Sequence, residues 1–187
     1  MKKQKLELTW IGKENRPRLE PRILLEDPSL SYHAPHRITD NDTFDNRLIF
    51  GDNLLALKAL EQEFTGTIKC IFIDPPYNTG AAFQLYDDGI EHSTWLSLMR
   101  DRVELLWKLL RPDGSFWVTL DDAEAHYFKV MVDGVFGREC FIADISWRKR
   151  DGPPNDRKVG SVHDHILVWG KSKVLARKRP KQKNYSI

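Results

Sequence analysis

Ile68-Lys69-Cys70-Ile71-Phe72-Ile73 is an apolar run interrupted only by Lys69, and Asp74-Pro75-Pro76-Tyr77 ends it. The run is too short for a helix and rich in β-branched side chains, so it reads as a buried parallel strand. On either side the texture repeats. Arg47–Phe50 is a short apolar strand closed by Gly51-Asp52-Asn53. Leu54, Leu57, Leu60 and Phe64 recur at helical spacing until Thr65-Gly66-Thr67. Ser93 is a plausible cap for an amphipathic helix through Trp95, Leu96, Met99, Val103, Leu106, Leu109 and Leu110, ended by Pro112-Asp113-Gly114. Ser115–Leu120 reads as a strand, and Asp121 or Asp122 as the cap of a helix to about Val135, closed by Phe136-Gly137. Phe141–Trp147 and His165–Trp169 read as two more strands, separated by a loop at Arg148–Ser161.

Strands alternating with helices predict an α/β fold with a parallel sheet covered on both faces. No helix separates the last two strands, so they should pair antiparallel at one sheet edge. The predicted organisation is a polar lead-in (1–46), an α/β domain (47–172) and a basic tail (173–187), with no internal repeat.

Charge is unevenly spread over the 187 residues. Residues 148–187 carry a balance of +9, against −7 for residues 1–147. A basic end points toward phosphate, although, taken alone, an ordinary solvated tail is the better explanation. No apolar run approaches the roughly 20 residues that span a bilayer, and the lysines at the start lead into no apolar segment, so a cytoplasmic, membrane-free protein is expected. Cys70 and Cys140 form no CxxC pair; both are expected to be reduced, with Cys70 buried in its strand. His163-Asp164-His165 is a lone HxH without carboxylate or thiol support, and no metal site is expected from it.

The chemistry concentrates at Asp74–Tyr77. In open α/β sheets ligands bind beyond the carboxyl ends of strands. Two prolines fix the backbone and hold the residue before them extended. The Asp74 carboxylate and Pro75 carbonyl are thereby presented as acceptors beside the Tyr77 ring. That arrangement suits an exocyclic amino group on a planar base. Two acceptors on its hydrogens free the nitrogen lone pair, and the ring stacks on a base taken out of the duplex. A proline turn with an incidental tyrosine is the structural alternative.

The collinear series IFGDNLLALKAL, KCIFIDPPYNTG, EHSTWLSLMRDRVELLWKLL, DGSFWVTLDD, VFGRECFIADISWRK and HDHILVWGKS resembles the DNA methylase N-4/N-6 family. Within it the sequence is most similar to the modification subunits of type III restriction–modification systems. The resemblance spans about residues 1–172. It implies a Rossmann-like three-layer fold that binds S-adenosylmethionine, with sheet order 3-2-1-4-5-7-6, and transfer of a methyl group to adenine N6 in double-stranded DNA. Asp74, Pro75, Pro76 and Tyr77 become the catalytic motif. Asp52 would bond the cofactor's adenine amino group, unless it simply caps a helix. Asn53, Asp74 and Trp95 join it as cofactor-side residues, Trp95 being equally explicable as a core aromatic. Tyr77, Asn78 and Thr79 would shape the DNA-base pocket, and Arg148, Lys149 and Arg150 would meet phosphate. A restriction subunit and a second methyltransferase subunit are implied partners; a metal is not.

The family's later FxGxG cofactor loop, its target-recognition region and strands 1 and 2 have no counterpart in residues 1–187. The expected fold is therefore incomplete (strands 3 to 7), and the chain is expected to be inactive alone. Two alternatives stay open: a non-catalytic DNA-binding remnant, or one half of a split enzyme. By the same logic Leu48–Phe50, strand 3, should lack its neighbours. It could stand apart, leaving a gap, or collapse onto Ile68–Ile73; the gap is the expectation.

Overall fold

A computed structural model describes residues 7–32, 35–41, 43, 45–78, 91–152 and 160–172. In chain order the elements are α1 (Asn53–Phe64), β1 (Ile68–Ile73), α2 (His92–Leu109), β2 (Leu110–Leu120), α3 (Ala125–Phe136), β3 (Phe141–Arg148) and β4 (His163–Gly170). A single 3-10 turn, Arg138–Cys140, joins α3 to β3. The architecture is α/β, as the alternation predicts.

The sheet is mixed, with order β1-β2-β4-β3. β1 runs parallel to β2, whereas β4 is antiparallel to both β2 and β3. This is the 4-5-7-6 order that the resemblance implies, and the last two strands form the expected antiparallel edge pair. The expected strand at Leu48–Phe50 does not form. Leu48 and Phe50 are fully exposed and pair with no strand among the described residues. An isolated three-residue segment has no ladder to satisfy its backbone groups except water. The segment therefore stands apart from β1, and the gap outcome holds.

The register explains the layering. Ile71 lies opposite Phe116 and Ile73 opposite Val118, and these residues face the helices. The core joins them to Trp95, Met99 and Val103 of α2, Phe128 and Val132 of α3, and Leu167 and Trp169 of β4. Each such side chain stabilises the fold by roughly 1.5–3 kcal/mol relative to exposure. On the opposite face, Phe72, Ile145 and Trp147 are 60%, 42% and 61% exposed. The expected cover on both faces is thus found on one face among the described residues. Cys70, expected buried, is exposed on the open face, while Cys140 is buried with its Sγ 3.1 Å from the Phe136 carbonyl.

Helix boundaries differ in informative ways. Glu91, not Ser93, caps α2: its carboxylate accepts from the Ser93 and Thr94 backbone N–H groups. An acceptor just upstream outcompetes the serine hydroxyl, which itself donates to Glu91. α2 ends at Leu109 and β2 starts at once, so Pro112-Asp113-Gly114 lies inside β2 at a register irregularity instead of ending the helix. Gly114 is required there: a Cβ would stand 2.9 Å from the Arg111 and Ile68 carbonyl oxygens. Neither Asp121 nor Asp122 caps α3 as expected. Asp121 holds the turn before it through the Ala123 N–H, and Asp122 is drawn to His165. The lead-in has no helix or strand among its described residues, yet Leu8 and Trp10 pack on the core, and Trp10 Nε1 donates to Ser97 Oγ at 2.8 Å.

Candidate functional site: an acidic cleft at the end of β1

β1 delivers Asp74 to its carboxyl end, and the parallel neighbour β2 brings Thr119 to the same level. Thr119 Oγ1 donates to Asp74 Oδ1 at 2.7 Å. This bond fixes one carboxylate oxygen while Asp74 stays exposed to solvent. Tyr77 lies beside them, partly buried against the core. Burial pushes its phenol above the ordinary range, against the lowering by its hydrogen bond with Thr119; the negative charge of Asp74 adds to the rise. Tyr77 is therefore a neutral ring near pH 7. Together with Phe72, Trp147, Asp164 and Ile166 these residues line an open cleft of about 370 Å³. That volume lies in the range of small-ligand sites.

The motif is held from beneath. Trp95, wholly buried, donates its indole N–H to the Pro76 carbonyl at 2.9 Å. Its ring meets Phe128 edge-on with centroids 6.0 Å apart. Trp95 thus acts from the core, through Pro76. Asn78, the next residue after Tyr77, adopts a left-handed backbone with φ 58°, which asparagine tolerates better than most side chains. Its Nδ2 donates to Glu124 Oε1 at 2.7 Å. Glu124 has a side chain only 3% exposed, and His92 Nδ1 lies 2.9 Å from its carboxylate. A buried carboxylate requires such partners. Here Asn78 and His92 bind the motif's exit to the starts of α2 and α3.

Among the expected site residues, Asp74 and Tyr77 line the cleft, whereas Pro76 and Asn78 are engaged by Trp95 and Glu124. Asp52 caps α1, accepting from Leu54 N at 2.9 Å and Leu55 N at 3.2 Å, and its second oxygen lies 3.5 Å from Arg102. Asn53 Oδ1 accepts from Arg102 Nε at 2.6 Å. These two therefore engage α2, not the cleft lining. Lys149 pairs with Asp164 at 2.6 Å, which ties it to the cleft rim. Arg148 is largely exposed and pairs with Asp151 at 2.6 Å; Arg150 is exposed. Thr79 lies outside the described residues.

Thr119, Asp164, Trp147, His92 and Glu124 escaped sequence reasoning. Thr119 had a usable signal. In Ser115–Leu120 it alternates with Ser115 and Trp117 on the face opposite Phe116, Val118 and Leu120. Glu124 had none, because a glutamate before a helix normally reads as solvated.

The sequence profile of a family described as DNA methylase matches residues 68–186. Among curated proteins, the "Probable type III restriction-modification enzyme HindVI Mod subunit" of Haemophilus influenzae is 40% identical over 141 residues, covering 73% of this chain and 19% of that protein. The StyLTI Mod subunit of Salmonella typhimurium, a type III restriction-modification enzyme, is 28% identical over 197 residues, covering 89% and 30% respectively. The chain therefore spans less than a third of the length of either relative. Among solved structures, the cytosine-N4-specific PvuII DNA methyltransferase aligns with a TM-score of 0.46 at 20% identity, covering 66% of this chain and 48% of that one. Among the described residues no helix is long and apolar enough to cross a membrane.

Proposed function

We propose, because this chain belongs to the DNA methylase family, that its cleft receives a target adenine from double-stranded DNA and presents its N6 for methylation. The observation that carries this reading is the Asp74 carboxylate, fixed on one oxygen by Thr119 and open to a cleft walled by Tyr77. An amino group placed there donates one hydrogen to Asp74 and the other to the Pro75 carbonyl. Both acceptors favour a nitrogen with an available lone pair and stabilise the positive charge that develops on it. Tyr77, Phe72 and Trp147, which line the cleft, supply aromatic rings for an extruded base. Trp95 and Glu124 keep the acceptors in place, which is how orientation contributes to rate.

S-adenosylmethionine is the proposed methyl donor; when bound it would supply an electrophilic methyl group. Asp52 fits one part of it. Its side chain is 54% exposed, and its second oxygen, 3.5 Å from Arg102, takes no part in the capping bonds, so it can also accept from an adenine amino group. Arg148 and Arg150 sit at the exposed end of β3, where they can meet phosphate. A DNA substrate puts the proposed work in the cytoplasm. A restriction subunit and a second methyltransferase subunit are the proposed partners, by similarity to the Mod subunits.

The test is Asp74→Ala in the protein that carries this chain. Methyl transfer to adenine should fall by about a hundredfold or more, while DNA affinity stays close to the parent's. Turnover near the parent's value would refute the assignment.

A further inference from the structure

On the helix-covered face of the sheet, away from the cleft, four side chains from four elements converge. His165, in β4, is buried at the level where β2 ends. Its Nε2 lies 2.9 Å from Asp122 Oδ1, in the turn after β2. Its Nδ1 lies 3.0 and 3.1 Å from the two carboxylate oxygens of Asp144, in β3. His126, in the first turn of α3, brings its ring to 5.4 Å from that of His165 at an interplanar angle of 70°. One ligand atom from each of Asp122, His126 and His165 lies within 4.8 Å of the others.

We propose that Asp122, His126 and His165 form a binding site for a borderline divalent cation of the zinc class. Two imidazole nitrogens and one carboxylate oxygen suit such an ion, whereas magnesium and calcium prefer oxygen alone. Asp144 supplies the outer partner: a ligating histidine usually gives its other N–H to a carboxylate, which fixes its tautomer and raises its basicity. Asp122 and Asp144 place two negative charges around two imidazoles, which a dication balances. Donors around a four-coordinate zinc stand roughly 3.3 Å apart, so the site closes by a small movement of His126, which is exposed. The exposed side of Asp122 and His126 leaves the remaining position to water. The ion would clamp the end of β2 to α3 and β4.

A protonated His165 bridging the two aspartates is the simpler arrangement, and it accounts for three of the four side chains. It gives His126 no role, and that separates the two readings. The tag-free chain, stripped by chelator, is titrated with Zn²⁺ alone by calorimetry, with Co²⁺ absorption as a second readout and the melting temperature as a third. The expected result is one Zn²⁺ per chain, a raised melting temperature, and loss of both in His126→Ala. Asp144→Asn should weaken binding by about 10- to 100-fold, and His36→Ala should leave it unchanged. Absence of stoichiometric Zn²⁺ binding, or binding that survives His126→Ala in a folded variant, overturns the proposal. Should His126→Ala lose its fold, Asp122→Asn decides by the same criteria.

Discussion

At the scale of the residue, the site depends on buried polar groups whose partners are few and specific. Glu124 illustrates this. It accepts from Asn78 at 2.7 Å and from His92 at 2.9 Å while almost entirely buried. Glu124→Ala removes the acceptor from both and should destabilise the fold by about 1–3 kcal/mol. Glu124→Gln keeps an oxygen for Asn78 and should cost less. Urea unfolding checks the order, and equal losses would show that Asn78 draws nothing from the bond. Trp95 acts similarly through the Pro76 carbonyl. Here the ring also packs, so Trp95→Phe, which loses the N–H donor (about 1 kcal/mol) and only part of the ring, should cost less than the several kcal/mol of Trp95→Ala. Similar losses for the two variants in urea unfolding would show that the N–H donor, not the ring, carries the contribution.

At the scale of the element, two glycines give opposite expectations. Gly114 sits where β2 passes the start of β1, and a Cβ there would meet two backbone carbonyl oxygens at 2.9 Å. Gly114→Ala should lower stability by about 1–3 kcal/mol, because backbone cannot move aside as a side-chain tip can. Gly134 lies in α3, exposed, and a methyl group added there would have nothing within 4 Å. Gly134→Ala should raise stability by about 0.5–1 kcal/mol, by restricting the unfolded chain and improving helix propensity. Thermal melts of the two variants should move in opposite directions from the parent. A shift of the same sign would contradict the register of β1 against β2 or the helical state of α3.

At the scale of the whole molecule, one sheet face is covered and the other is open among the described residues. Ile145 and Trp147 of the β3 edge and Phe72 of the β1 edge present apolar surface there. Open edges with apolar neighbours are templates for association. Ile145→Lys lies outside the cleft lining and should reduce concentration-dependent self-association in sedimentation velocity; no change would show that this face is not the sticky one. The charge asymmetry also acts at this scale. With +9 carried by residues 148–187, DNA binding by this chain should weaken steeply as salt rises. A sequence-specific footprint that persists at physiological salt would contradict binding through that basic end alone.

The sequence by itself determined the local elements and the position of the chemistry. Periodicity of Leu54 to Phe64 and of Trp95 to Leu109 specified α1 and α2, because a helix buries one stripe wherever it packs. The apolar run into Asp74-Pro75-Pro76-Tyr77 specified a strand with an acidic end, because the prolines fix the backbone locally. Tertiary structure decided which distant side chains meet. Thr119 reaches Asp74 across 45 residues only because β1 and β2 pair in parallel with Ile73 opposite Val118. His165 reaches Asp122 and Asp144 because β4 reverses between β2 and β3. The same sheet order left Leu48–Phe50 unpaired. A strand needs a neighbour to satisfy its backbone, and no local pattern states whether that neighbour is there.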